Sequence, residues 1–129
     1  MTPYDLIGRG YRLGADFVTR PEGDCLSLAR AVLTYYGIES PEPQRSWYRR
    51  LRKGDTSVFP DELGRWGVVT DSLDCGVIGL CQAENGYGMA AYFEGGWISF
   101  RESVVQWSPI GLPQVVELYC PRKSSCVMQ

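Results

Sequence analysis

Apolar side chains recur at helical spacing in one long stretch of this chain, DCLSLARAVLTYYGI. Leu26, Ala29, Leu33 and Tyr36 follow one another at three- and four-residue steps, and Leu28, Val32 and Tyr35 widen the stripe. Such a broad stripe predicts a largely buried helix over 25–36. Asp24 is a residue type that caps a helix start, and Gly37 one that ends a helix. Upstream, Tyr4, Ile7 and Tyr11 fit a weaker stripe that Gly8, Gly10 and Gly14 interrupt, which predicts a short helix and then a loop. Thr19 to Gly23 reads TRPEG, a turn. Downstream, SPEPQRSWYRRLRKGD predicts an extended entry through Pro41 and Pro43 followed by a short helix. Residues 56–66 predict another, with Pro60 near its first turn and Trp66 closing it.

Past residue 67 the period changes. Val68-Val69, Gly76 to Leu80, Met89 to Phe93, Trp97 to Phe100, Val104 to Trp107 and Val115 to Tyr119 are short apolar or β-branched runs separated by Gly, Asn and Pro. They predict strands, and Glu94-Gly95-Gly96 predicts a hairpin between two of them. Helices first and strands later give an α+β fold, with N-terminal helices packed on a C-terminal curved antiparallel sheet. Residues 1–120 are expected to form one domain and 121–129 a polar tail.

Composition narrows the function. With 129 residues, 44% hydrophobic and 22% charged, the chain fits one globular domain. Thirteen basic against fifteen acidic side chains, net −2, argue against a broad nucleic-acid footprint. Arg45, Arg49, Arg50, Arg52 and Lys53 form one local cluster around Trp47 and Tyr48, which reads either as a solvated helix face anchored by two aromatics or as a patch for an acidic partner, nucleic acid included. No apolar run is long enough to span a bilayer, and the first residues lack the basic start and apolar run of a signal peptide. Cys25, Cys75, Cys81, Cys120 and Cys126 are odd in number, which together with the missing signal predicts reduced thiols, mostly small buried hydrophobes. The six-residue steps between Cys75 and Cys81 and between Cys120 and Cys126 are too long for a zinc knuckle, so no metal and no cofactor is expected.

The chain contains no histidine. The commonest general base is therefore missing. Yet Cys25 sits just after a glycine-bearing turn, at the first position of the predicted helix. There the backbone N–H groups and the helix dipole favour an anion, and a thiolate is expected to be stabilised.

The segment PEGDCLSLARAVLTYYGI resembles the nucleophile segment of the NlpC-type cell-wall peptidases, a papain-like superfamily, and most closely its phage tail-tip branch. Asp24, Cys25 and Leu28 match, while Leu26 and Ser27 replace the aromatic and the small residue usual there. The similarity continues through the strands to about residue 120. It implies that Cys25 is a vestigial nucleophile, that the family's histidine position falls on Gly88 or its neighbour Tyr87, and that the third polar position falls on Ser99. Glycine carries no base, and amide cleavage needs an acid for the leaving amine. Glu84, Asp74 and Glu94 are the carboxylates considered as stand-ins, each a poor acid at neutral pH unless burial raises it. The resemblance implies a non-catalytic structural or binding protein of a phage tail or virion. Its partners would be other phage structural proteins in an oligomeric assembly, with peptidoglycan as a further ligand. If it is not phage-encoded, a cytoplasmic location is expected. The alternative is an active cysteine hydrolase or acyltransferase using Cys25 with a non-histidine or partner-supplied base.

Overall fold

The computed structural model describes residues 2–74, 76–111 and 114–121. The predicted long helix is α1, Cys25–Tyr35, and the basic segment forms α2, Arg45–Arg52. Residues 56–66 divide into α3, Val58–Glu62, and a 3₁₀ turn, Leu63–Arg65. The N-terminal helix shrinks to one 3₁₀ turn, Pro3–Leu6, because the glycines after it release the chain into loop.

Asp24 caps α1 as its residue type suggests. Its Oδ1 accepts the Ser27 N–H at 2.9 Å, and Ser27 Oγ in return accepts the Asp24 N–H at 2.8 Å. This reciprocal pair satisfies two donors that a helix start otherwise leaves unpaired. Gly23 is required for packing: a Cβ there would lie 2.6 Å from Ser27 Oγ and inside the Phe17 ring edge. At the far end, Gly37 takes φ 74° and its N–H bonds Thr34, closing the helix.

Six strands follow: β1 Val68–Thr70, β2 Ile78–Ala83, β3 Gly86–Phe93, β4 Gly96–Arg101, β5 Val104–Pro109 and β6 Val115–Cys120. They form one antiparallel sheet in the order β1-β6-β2-β3-β4-β5. The predicted hairpin is the two-residue turn Glu94-Gly95, both with positive φ, which matches the twist of the strands it joins. β6 inserts between β1 and β2, so the last strand lies inside the sheet. The free edge of β5 is covered by the N-terminal arm, whose Gly8 and Tyr11 N–H groups bond Val105 and Ser103 carbonyls at 2.8 and 2.9 Å.

The sheet separates two apolar clusters. On one face Leu26, Leu28, Ala29, Val32 and Leu33 of α1 pack on Ile78, Leu80, Met89, Ala91, Phe93 and Ile98, joined by Trp47, Phe59 and Trp66. The other face carries a smaller cluster of Val77, Ala90, Trp97 and Cys120. Of the four tryptophans only Trp107 is substantially exposed, and its indole N–H donates to the Phe93 carbonyl at 2.8 Å.

One cysteine expectation fails. Cys120 is in a disulfide, while Cys25 and Cys81 are free thiols. The partner of Cys120 lies outside the described residues, as do Cys75 and Cys126. Which sulfurs approach within bridging distance is a tertiary property that residue counts do not carry. Residues 122–129 of the expected tail also lie outside the described chain.

Candidate functional site

Cys25 opens α1 directly above β3. The Met89 backbone N–H faces its sulfur, as does its own N–H. As a residue Cys25 is half-buried, but the thiol is pressed onto the sheet and desolvated. Burial is the largest influence on it, and the adjacent Asp24 carboxylate adds to it, so the thiol is pushed up to about 11 despite the two N–H groups. The expected stabilised thiolate is therefore corrected. A helix start favours an anion only where it is not outweighed by lost hydration and a neighbouring negative charge.

Groups from three separate segments are coupled electrostatically to Cys25 or to its neighbour Asp24. Tyr11, on the N-terminal arm, is pushed up to about 12 by burial and by the charges of Cys25 and Asp24. Tyr48, on α2, is raised by burial and by Asp24, to whose carboxylate its hydroxyl donates. Cys81, at the irregular point where β2 shifts register against β6, packs with the cluster on the far face of the sheet, and is pushed up to about 12 by burial and by the charge of Cys25. Asp24 itself is 2% exposed, with Oδ1 taken by the Ser27 N–H and Oδ2 by the Gly14 N–H at 2.8 Å. A carboxylate with both oxygens engaged in capping is ill placed to shuttle protons.

The other two expected site residues do not join this group. Strand alternation sends Tyr87 and Met89 toward α1, where both pack with its cluster, so position 88 faces the opposite side. Its registered neighbour is Cys81, and a Cβ at Gly88 would meet nothing within 4 Å. Ser99 is buried and pairs with Gln106, and its neighbours Ile98 and Phe100 are the ones that pack on the α1 side. The residue of β4 facing the Cys25 region is thus Phe100, with its ring 5.2 Å from Tyr11 and 6.2 Å from Phe17. Glu84 and Glu94 lie in the turns at opposite ends of β3, and Asp74 precedes β2. Asp24 is the carboxylate whose charge acts on Cys25.

Sequence reasoning missed Tyr11, which feels the charge of Cys25, and Tyr48, which meets Asp24, and no local signal marks them. Tyr11 reads as part of a broken helical stripe, and Tyr48 as an anchor of the basic helix. Behind the first turn of α1, the recess lined by Leu26, Trp47 and Met89 has a volume of about 10 Å³, room for one water at most. Among the described residues no group of three Cys, Asp or Glu side chains converges as a metal site would require, and no helix is long and apolar enough to cross a membrane. Comparison with protein-family models, with curated proteins and with solved structures finds no match for this chain.

Proposed function

We propose that this chain is a catalytically silent NlpC-like domain with a papain-like arrangement of helix and sheet, working as a structural or binding part of a larger assembly. The observation that carries this reading is the state of Cys25. With the thiol pushed up to about 11, on the order of 10⁻⁴ of it is thiolate at pH 7. Tyr11 and Cys81, the groups that feel its charge, are themselves raised to about 12, so neither accepts its proton near neutrality. Loss of general acid–base help costs about 10²–10⁴-fold by itself, before the scarcity of nucleophile is counted. The phage tail or virion setting, with other structural proteins of the particle as partners, rests on the sequence resemblance alone.

A second reading keeps chemistry at Cys25. It is favoured by the Met89 N–H, a donor aimed at the sulfur of a helix-start cysteine, the kind of group that also stabilises an oxyanion. That reading requires a partner chain to supply the base. Alkylation with iodoacetamide at pH 7.5 separates the two. The silent domain labels Cys25 more slowly than free cysteine and leaves cell-wall peptides intact. Labelling faster than free cysteine, with cleavage that Cys25→Ala abolishes, would support the hydrolase.

A further inference from the structure

α1 has a second functional-looking flank. Its period places Ser27, Arg30, Ala31 and Thr34 opposite the buried Leu26, Ala29, Val32 and Leu33. Against this flank lie the N-terminal residues Thr2, Pro3 and Leu6 and the loop Asp16–Val18, enclosing an open trough of about 550 Å³. That is within the range of small-ligand sites. Its floor is apolar: Pro3, Leu6 and Phe17 are buried, and Ala31 is half-buried.

Two opposite charges line it, and neither is fully used. Asp16 Oδ1 accepts the Val18 N–H at 2.9 Å, the Thr19 N–H at 2.8 Å and the Thr19 hydroxyl at 3.1 Å. These bonds hold its carboxyl below the usual range, so the group is an anion, and Oδ2 has no hydrogen-bond partner among the described residues. Arg30 donates through Nε to Ser40 Oγ at 3.1 Å and through Nη2 to Glu42 at 3.4 Å, and Nη1 has no partner among the described residues. Asp16 and Arg30 feel each other's charge yet form no ion pair with each other. Two unlike charges held apart over an apolar floor complement a small zwitterion with an aliphatic middle.

We propose that this trough binds a short free-ended peptide, with its ammonium at Asp16, its carboxylate at Arg30 and small aliphatic side chains over Pro3, Leu6 and Phe17. The site lies on the flank of α1 turned away from the sheet and does not depend on whether Cys25 reacts. Ser27 and Thr34, also on the wall, offer hydroxyl groups for the peptide backbone.

The test is an NMR titration of the ¹⁵N-labelled full chain with trialanine. Binding as proposed moves amide signals of Asp16 to Val18 and Arg30 to Thr34 saturably. N-acetyl-trialanine and trialanine amide should each bind at least about tenfold more weakly, the value of one lost charge-assisted contact. Asp16→Asn, which keeps an Oδ1 acceptor for the loop, should erase the penalty of acetylation only, and Arg30→Gln that of amidation only. If either variant disturbs the whole spectrum, the end-group series on the unaltered chain decides. The proposal is overturned if trialanine causes no saturable shift, if the blocked peptides bind as well as the free one, or if the shifts centre elsewhere.

Discussion

Asp24 accepts the Gly14 N–H through Oδ2 at 2.8 Å, fastening the N-terminal loop to the first turn of α1 across ten positions of chain. The same carboxylate caps the helix through Oδ1 and takes the Tyr48 hydroxyl from α2. One buried side chain therefore ties three segments around Cys25. Asp24→Ala should destabilise the protein by about 2–3 kcal/mol, roughly 1 from the cap and the rest from buried donors left unpaired. Urea unfolding of the variant checks this, and a loss below about 0.5 kcal/mol would contradict the structural role given to Asp24.

The raised Cys25 thiol gives a signed pH dependence. Its ordinary value is 9.0 and its folded value about 11, so the folded state holds this proton more tightly. Stability from this group is complete below pH 9 and drains away as pH rises toward 11. Cys25→Ala should flatten that part of the alkaline unfolding profile measured by circular dichroism. In parallel, the alkylation rate of Cys25 should climb through pH 10 and beyond, where a free thiol has already levelled off. A plateau reached below pH 9 would show that the sulfur is not desolvated.

Gly88→His is expected to fold normally, because a Cβ there meets nothing within 4 Å and the position does not need positive φ. Its imidazole should leave the sheet on the face away from α1. No peptide hydrolysis should appear, and the Cys25 alkylation rate at pH 7.5 should stay within twofold of the unaltered chain. Activity gained by this one substitution would mean that position 88 reaches the sulfur after all.

Arg50 joins α2 to the segment leading into α3, donating to Asp55 at 2.8 Å, to Ser57 at 2.7 Å and to Asp61 at 2.6 Å. Ser57 and Arg50 together hold the Asp55 carboxyl down at about 2, below its ordinary 3.8. The contribution of Asp55 is therefore present above pH 4 and lost as pH falls toward 2. Arg50→Gln should lessen the fall in thermal stability between pH 4 and 2, and raising ionic strength should mimic it partly, since these groups are solvent-exposed. Equal acid sensitivity in both proteins would remove this network from the stability of the fold.

Much of the secondary structure is legible from neighbours in sequence. The stripe from Leu26 to Tyr36, the Asp24 cap, Gly37 and the Glu94-Gly95 turn each depend on contacts within four residues, and all appear where expected. The split of 56–66 and the single turn at Pro3–Leu6 were harder, since short helices exist only where packing supports them. The site was read least well. Cys25 lies at the predicted helix start, but its thiol state is set by burial against the sheet, which the Asp24 charge reinforces and the Met89 N–H opposes.

Sequence by itself determined the long helix and the run of strands after it, that Cys25 heads a buried helix, and that no imidazole is present to serve it. Tertiary structure alone decided the strand order, the side of the sheet from which residues 88 and 99 project, and the disulfide at Cys120. It also decided the desolvation that keeps the Cys25 proton in place. The division is physical: capping and periodicity are local, whereas the pairing of strands and the hydration of a sulfur depend on which distant surfaces close over it.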